Sequence, residues 1–285
     1  GTLGNQVTNG NFDYLGYLSS ESLAYSMGGK NLTGLTPPTL ASTNITWEKV
    51  TTSNFGIDLG LLNNRLNASF DYYMRYTNDM VVSKTYPAVL GSTGGKENLA
   101  NMRTNGWELS IGWSDKIDNV AGSPLSYSIG FGLADSYSTI TKYDNPEGAL
   151  NDYYEGKRIG EIWGYVTDGF IETKEEAERM RTIQGQISSG EWLIGDIRYK
   201  DLDGKEGITP ARTIDNTGDQ KVIGNTTPRF SYNITASASW KNFDVRVFFE
   251  GIGKRDLWVD SPVFWGFSGN VWQAAVNDYH VDNSW

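Results

Sequence analysis

Cysteine is absent from this chain of 285 residues, and histidine occurs once, as His280. Without cysteine the chain can form no disulfide, no thiolate nucleophile and no cysteine-based zinc site. One histidine cannot build a multi-histidine metal centre. The residue types that most often carry metal or nucleophilic chemistry therefore give no reason to expect an enzyme.

Basic residues and long apolar runs are also scarce. Lysine and arginine number 24 against 34 acidic residues, which gives a formal net charge of −10. Phosphate binding needs a basic face, so this balance argues against a nucleic-acid partner. Mean hydropathy is −0.44, and no apolar run approaches the roughly 18 residues of a membrane-spanning helix. These values do not exclude a transmembrane β-barrel, because only alternate residues of its strands face lipid.

What the chain does contain is alternation of apolar and polar residues with a period of two, which predicts strands with one apolar face. The pair Asn63-Asn64 tolerates the positive φ angles of a tight hairpin. The flanking strands are about twice the usual 5–6 residues, close to the roughly 9–11 that cross a bilayer at a tilt. Tyr72 and Tyr76 end the apolar face as membrane-interface aromatics would. The apolar positions are Phe55, Ile57, Leu59, Leu61, Leu66, Ala68, Phe70, Tyr72, Met74 and Tyr76.

Two further hairpins follow the same pattern. Residues 107–113 pair with 125–133 across a turn predicted at 115–124, and 230–240 pair with 243–249 across Lys241-Asn242. The rest of the chain is expected to be loop: most of 1–46, then long loops at about 77–102, 135–228 and 252–285. Thr173 begins a capping box that predicts a short charged helix in the second long loop. Short turns alternating with long loops are typical of outer-membrane barrels.

The predicted fold class is therefore all-β, an antiparallel transmembrane β-barrel segment. Six strands cannot close a wide barrel or leave two open edges in lipid. We expect residues 1–285 to be the C-terminal part of a larger barrel, with the plug domain and final strands outside them. The alternative is a soluble secreted β-sandwich that binds carbohydrate, since sandwiches also alternate but usually have shorter strands. A glycoside hydrolase fragment would need two carboxylates aimed across one cleft, and the spacing shows none.

Several stretches resemble the SusC/RagA family of TonB-dependent outer-membrane transporters. They include NITWEK (44–49), NFGIDLGLLNNRLNASFDYYMRYTNDM (54–80), GKRIGEIWGYVTDGF (156–170), GDIRYKDLDG (195–204) and VIGNTTPRFSYNITASASWKNFDVRVFFEG (222–251). The resemblance implies a 22-stranded barrel with a plug, in the outer membrane of a Gram-negative, Bacteroidota-type cell. It implies energy from the TonB complex, through an N-terminal part absent here, and a SusD-like surface lipoprotein. It further implies import of an oligosaccharide or oligopeptide, without catalysis.

Two sets of residues are candidates for contact with cargo or partner. Loop aromatics could stack on sugar rings or meet a partner, because Tyr and Trp combine apolar area with a polar handle; packing within the loops is the alternative. This set is Tyr153, Tyr154, Trp163, Trp258, Trp265 and Trp272. Charged residues on the polar strand faces would be costly in lipid, so we expect them to face the lumen while the apolar faces contact membrane lipid. These are Asp71, Arg75, Glu108, Asp244, Arg246 and Glu250.

The stretch from Asp201 to Ile208 is a weak calcium candidate. Calcium loops place carboxylates at alternate positions and a glycine at the sharp turn. Asp201 and Asp203 fit the first and third positions, but Lys205 occupies the fifth, where an oxygen ligand belongs, and Glu206 the sixth. The alternative is an acidic turn without a metal. No other cofactor is expected.

Overall fold

The computed structural model describes residues 2–5, 18–35, 45–83, 95–188, 190–205, 207–259, 261, 267–268 and 275–276. Within these ranges the chain is built mainly of strands, with one short helix, α1. None of the helical structure there is long and apolar enough to cross a membrane. The elements are β1 Thr2–Asn5, β2 Ser20–Met27, β3 Lys30–Leu35, β4 Glu48–Leu61, β5 Leu66–Ser83, β6 Lys96–Val120, β7 Ser123–Lys142, β8 Glu161–Tyr165, β9 Thr167–Phe170, α1 Lys174–Ile183, β10 Ile197–Tyr199, β11 Gln220–Asn225, β12 Arg229–Trp240, β13 Phe243–Lys254, β14 Phe267–Ser268 and β15 Ala275–Val276.

Seven strands form one large sheet in the order β1-β4-β5-β6-β7-β12-β13. Neighbours from β1 to β7 run antiparallel, and β12 and β13 are joined by a two-residue turn. The short turns at 62–65, 121–122 and 241–242 therefore lie at one end of the sheet. The long connections, 84–95 and 143–228, leave from the opposite end, as the sequence predicts.

The apolar residues of neighbouring strands lie in register on one face of this sheet. That face is open: Phe55 is 64% exposed and Leu59 52%. Because large apolar side chains of a sandwich would be covered by a second sheet, this exposure contradicts the β-sandwich alternative. The registered rows are Ile57–Phe70–Leu109–Leu133, Leu59–Ala68–Ile111–Phe131 and Leu61–Leu66–Trp113–Ile129.

The strands are longer than the alternation predicted. A loop was expected at 77–102, but β5 continues to Ser83 and β6 begins at Lys96. Likewise β7 continues to Lys142, inside the loop expected from residue 135. The extensions mix polar and apolar residues without alternation, and the pairing of β5 with β6 shifts register at Met80. The period of two is therefore lost although the ladder continues, with Val81 paired to Asn98. Periodicity reports burial of one face, whereas strand pairing needs only backbone hydrogen bonds.

The turn between β6 and β7 is also tighter than the predicted span of 115–124. Strand β6 extends to Val120, and the chain reverses at Ala121 and Gly122, whose φ angles are 47° and 83°. Two positive φ angles are what a two-residue hairpin turn of type I′ requires. Gly122 donates its backbone N–H to Asn119 Oδ1 at 2.9 Å, which fixes the turn.

In the described part of residues 1–46, where the sequence predicted mostly loop, β2 and β3 pair as a hairpin. Its turn consists of Gly28 and Gly29, with φ angles of 64° and 77°. The two other predicted turns are confirmed. Leu62, Asn63 and Asn64 all have positive φ between β4 and β5, and Lys241 has φ 53° between β12 and β13.

The region between β7 and β12 contributes most of a second compact unit, formed by 146–152, 159–231 and 251–285. Helix α1 begins as predicted, with the Thr173 hydroxyl accepting from the Glu176 backbone N–H at 3.1 Å. Strand β8 pairs with β11 and β9 with β10. The apolar centre is small, with Ile171 and Ile208 fully buried.

Candidate functional site: the polar face of the sheet and its connections

The polar face of the large sheet carries a groove of about 710 Å³ toward the long connections. Hydroxyl groups dominate its lining, and Thr104 Oγ1 lies 2.7 Å from Ser138 Oγ. The Arg75 guanidinium lies 5.8 Å from the Tyr73 ring centre. Aliphatic side chains contribute little, so the groove offers hydrogen-bond partners and one cation. Its sheet residues are Val50, Thr52, Tyr73, Arg75, Thr77, Met102, Thr104, Ser136 and Ser138.

Glycines make this face smooth by letting neighbouring side chains lie flat. A Cβ at Gly106 would fall 2.4 Å from Cζ of Tyr73, so the phenol ring lies over that glycine. A Cβ at Gly56 would fall 2.5 Å from Oδ1 of Asp71. That carboxylate also accepts from Asn54 Nδ2 at 3.3 Å. The small residues noted in the sequence are thus needed for close approach.

The six charged residues predicted to face the lumen lie on three strands. Asp71 and Glu108 are registered partners on β5 and β6, and Arg75 lines the groove. On β13, Asp244 accepts from the Ser239 hydroxyl, while Arg246 and Glu250 are exposed and follow at alternate positions. Their role in lining a channel stays a prediction.

Tyr153 and Tyr154 lie side by side around a lysine. The Lys157 ammonium is 5.6 Å from the Tyr153 ring centre and 5.2 Å from that of Tyr154. Tyr143 packs edge-on against Tyr153 at 5.6 Å. Tyr153 keeps 45% of its surface exposed, so its ring remains accessible, whereas Tyr154 is half-buried.

The other predicted aromatics differ from one another in their settings. Trp163 belongs to β8, paired with Val222, and its indole nitrogen is buried without a hydrogen-bond partner. Trp258 is 64% exposed. Trp265 and Trp272 lie outside the described residues. Contact with cargo or partner stays a prediction for the whole set.

The acidic loop contains a third carboxylate that sequence reasoning missed. Ligand oxygens of Asp201, Asp203 and Asp219 all lie within 4.8 Å of one another. Asp219 is 16 residues from Asp203 along the chain, so no local spacing reveals it. At the fifth position of the candidate loop, the Lys205 ammonium is 3.0 Å from Asp203 Oδ2. Calcium binding here is still a prediction.

Asp219 also organises the loop through backbone contacts. It is fully buried, and its oxygens accept from the N–H groups of Leu202 and Thr209 and from the Thr209 hydroxyl. Burial raises the pKa of this carboxyl, but the backbone N–H groups of Thr209 and Leu202 outweigh burial and hold the pKa below its usual value. The carboxylate is therefore the ionised hydrogen-bond acceptor around which this loop is arranged.

Two further side chains join α1 to the strands beside it. The backbone N–H of Glu172, together with the Arg198 guanidinium, lowers the pKa of Glu176. Glu176 forms an ion pair with the Arg198 guanidinium. The buried Gln184 side chain donates to the Ile197 carbonyl at 3.2 Å and accepts from the Tyr199 N–H at 2.7 Å. It thus makes the two backbone hydrogen bonds that a paired strand would make with β10. These contacts hold the inserted unit together.

Long antiparallel strands, an open apolar face and a polar opposite face define part of the wall of a transmembrane β-barrel. Residues 7–283 match the family model described as "TonB dependent receptor-like, beta-barrel". The chain therefore belongs to the TonB-dependent receptor β-barrel family, which confirms the predicted fold class. The number of strands in the complete barrel is not fixed by these residues.

Curated relatives agree with this assignment. The chain is 26% identical over 247 residues to TonB-dependent receptor P3 of Formosa agariphila, covering 82% of this chain and 23% of the relative. It is 30% identical over 156 residues to TonB-dependent receptor SusC of Bacteroides thetaiotaomicron, covering 54% of this chain and 15% of the relative. The chain thus spans about a quarter or less of these relatives. They are receptors and not enzymes, in agreement with the expectation from sequence.

Among solved structures, the chain is similar to the RagAB peptide transporter, with a TM-score of 0.61 at 20% identity. The match covers 87% of this chain and 25% of the other. The RagAB peptide importer in an open-open state matches with a TM-score of 0.60 at 20% identity, over 88% of this chain and 25% of that one. These similarities support the fold.

Proposed function

We propose that this chain forms part of the barrel of a TonB-dependent importer that moves a glycan across the outer membrane. One observation carries the proposal: apolar rows in register on one face of the sheet, backed by a hydroxyl-rich groove on the other. A barrel wall in lipid needs an apolar outside and a polar inside. The polar face, with Asp71, Arg75 and Glu108, then lines the lumen.

The chemistry of the groove favours a hydroxylated cargo. Thr52, Thr104 and Ser138 offer donors and acceptors, while Tyr73 offers a ring face beside Arg75. Sugars present many hydroxyls and apolar ring faces, so such a surface matches them. An oligopeptide is the second candidate, because the similar RagAB structures are those of a peptide transporter.

The partners follow from the same assignment. We infer that a SusD-like surface lipoprotein works with the barrel and that the TonB complex energises it through the part outside these residues. The relatives come from Formosa agariphila and Bacteroides thetaiotaomicron, which supports a Bacteroidota-type outer membrane.

Uptake by cells carrying the complete receptor tests the proposal. Labelled oligosaccharides and labelled oligopeptides are supplied separately to the parent strain, a deletion strain and a complemented strain, with and without a protonophore. We expect oligosaccharide uptake to require both the receptor and the proton gradient. Uptake of neither cargo, or receptor-dependent uptake of peptides alone, would contradict glycan import.

A groove variant links the transport to this surface. In the complete receptor, Tyr73→Ala with Arg75→Ala removes the ring and the cation, and we expect about a tenfold loss of oligosaccharide uptake. Met74→Leu is the matched control, because Met74 lies between them on the opposite face of β5. Equal uptake in both variants would argue that the groove does not meet the cargo.

A further inference from the structure

One row of the groove places a guanidinium between hydroxyl groups. Arg75 on β5 is paired with Thr52 on β4 and with Thr104 on β6. Thr104 is in turn paired with Ser138 on β7. Residues paired across antiparallel strands project from the same face, and all four line the groove. Because arginine stays protonated, the row carries a permanent positive charge with a threonine on either side.

Arg75 forms no ion pair within the described part of the chain. Its side chain is exposed, and its guanidinium lies 5.8 Å from the Tyr73 ring centre. Arg246 on β13 is likewise without an ion pair there, but it is not among the residues that line the groove. What distinguishes Arg75 is therefore its position, as an unpaired cation inside a cavity large enough to hold a ligand.

On the side of the short turns, the carboxylates of the polar face are too far from Arg75 to neutralise it. Asp71 lies four residues away on the same strand, about 13 Å, and already accepts from Asn54 Nδ2 at 3.3 Å. Glu108 is the registered partner of Asp71 on β6. These two carboxylates would repel an anionic ligand, so the groove favours an anion at Arg75 and not closer to the short turns.

On the side of the long connections, two carboxylates are held by other groups. Asp79 binds the Lys49 ammonium at 3.1 Å. Glu48 is buried and accepts from the Val81 backbone N–H at 3.0 Å. Neither carboxylate lines the groove. Among the described residues, the lining thus has one cation and no anion to balance it.

The hydroxyl pair beside Arg75 supplies a further hydrogen-bond donor. Thr104 Oγ1 and Ser138 Oγ are 2.7 Å apart. Each hydroxyl has one proton, and their mutual bond uses one of the two, so the other can be donated to a ligand. A guanidinium binds the paired oxygens of an oxyanion through parallel N–H groups. Together these groups match a carboxylate or a sulfate.

Tyr73 lies where the ring of a sugar carrying that oxyanion would lie. It is two residues from Arg75 on the same face of β5, about 7 Å along the strand, which is comparable to the length of one sugar unit. Its ring lies flat over Gly106, so its upper side can stack on a sugar. A sugar stacked there would place its charged substituent at Arg75.

We propose that the groove binds an anionic oligosaccharide, with the carboxylate or sulfate of one sugar held by Arg75 and the Thr104–Ser138 hydroxyl pair. This inference rests on the proposed glycan import and names the class of glycan. Arg75 is then a specificity-determining residue that favours an acidic sugar over its neutral counterpart. Because the groove is open to water, we expect the lower end of the range for hydrogen bonds to charged groups, about a tenfold preference.

Calorimetric titration of the complete receptor with matched pairs of sugars tests this site. One pair is tetragalacturonate and the same tetrasaccharide after reduction of its carboxyl groups. The other pair is a sulfated galactose tetrasaccharide and its desulfated form, so the two pairs distinguish carboxylate from sulfate. We expect the charged member of at least one pair to bind about tenfold more tightly in about 0.05 M salt, and this preference to shrink in about 0.5 M salt.

Variants of Arg75 assign the preference to this residue. R75Q keeps a polar side chain but removes the charge, so the preference should fall to about twofold or less. R75K keeps the charge and loses the planar fork, which should give an intermediate preference. K116Q is the control: Lys116 is on the same face of β6, twelve residues from Thr104, and its loss should leave the preference unchanged.

The outcomes separate this inference from glycan import itself. Equal affinity for the charged and neutral members of both pairs would overturn the inference and leave glycan import standing. Equal weakening of both members by R75Q would also overturn it, by assigning Arg75 to a contact within the complete receptor. Binding of no member would overturn it as well, and binding of oligopeptides in that case would contradict glycan import. Heat-modifiable gel migration establishes that each variant is folded, and the salt dependence of the wild-type receptor needs no variant.

Discussion

The phenol ring of Tyr73 lies over Gly106, on the neighbouring strand, where a Cβ would come within 2.4 Å of Cζ. Close approach here keeps the ring flat against the sheet and leaves the groove open. The pair shows how the polar face is shaped: residues that project on one strand need a glycine on the next.

Gly106→Ala should therefore force the ring out of its place. We expect a loss of about 1–3 kcal/mol in the free energy of unfolding, as for other overpacked sites, and a lower cargo affinity. Gly112→Ala is the control, because the nearest atom to its Cβ is 4.0 Å away. Unfolding in urea, followed by heat-modifiable gel migration, measures the free energy of unfolding of both variants. Adding Tyr73→Ala to Gly106→Ala should restore stability; failure of this rescue would show that the strain lies elsewhere.

Asp219 provides a test of the acidic loop. The pKa of Asp219 in the folded protein is lowered below the ordinary 3.8. The ionised carboxylate therefore stabilises the loop at neutral pH, and this stabilisation is lost as pH falls through the lowered pKa. At neutral pH, Asp219→Ala should lower the free energy of local unfolding of the acidic loop by about 2 kcal/mol. Hydrogen exchange at pH 7 should show faster exchange of the amides of Leu202 and Thr209. Unchanged protection would contradict the assigned role.

Lys205 determines how well this loop can take calcium. Its ammonium lies 3.0 Å from Asp203 where a ligand oxygen belongs, so we expect the wild-type receptor to bind calcium weakly, in the millimolar range of extracellular modules. Lys205→Asn should tighten binding at least tenfold in a calorimetric titration. Lys200→Asn is the control, since Lys200 contacts Asp168 and not the loop carboxylates. Equal affinities would argue against a calcium site.

The exposed aromatics should matter more to cargo than the enclosed ones. Tyr153→Ala and Trp258→Ala each remove an accessible ring, and we expect roughly a fivefold to tenfold loss of oligosaccharide affinity in the complete receptor. Trp163→Phe, which keeps an aromatic ring in β8, should change affinity little. Binding measured by tryptophan quenching or calorimetry distinguishes them. A larger loss at Trp163 would reverse this ordering.

The fold was predictable wherever one strand face is buried in lipid. Alternation around Phe55 and Phe70 identified the hairpin, its register and its open face. It failed beyond Thr77 and before Met102, where apolar residues such as Met80, Val81 and Val82 follow one another without alternation and the pairing of β5 with β6 shifts register at Met80. Contacts between distant residues were also hidden from the sequence: Asp219 joins the acidic loop from 16 residues away along the chain.

The orientation of the sheet, apolar face toward lipid and polar face toward a channel, is tested most directly at two adjacent residues of β6. Ile111 lies in the middle of the apolar band, and Ser110 lies beside it on the polar face. In the complete receptor folded into vesicles, the free energy of unfolding is measured for Ile111→Lys and Ser110→Lys. We predict that Ile111→Lys costs about 2–4 kcal/mol, as a lysine at the bilayer midplane does, and that Ser110→Lys costs less than about 1 kcal/mol. An equal or larger cost at Ser110 would contradict the orientation.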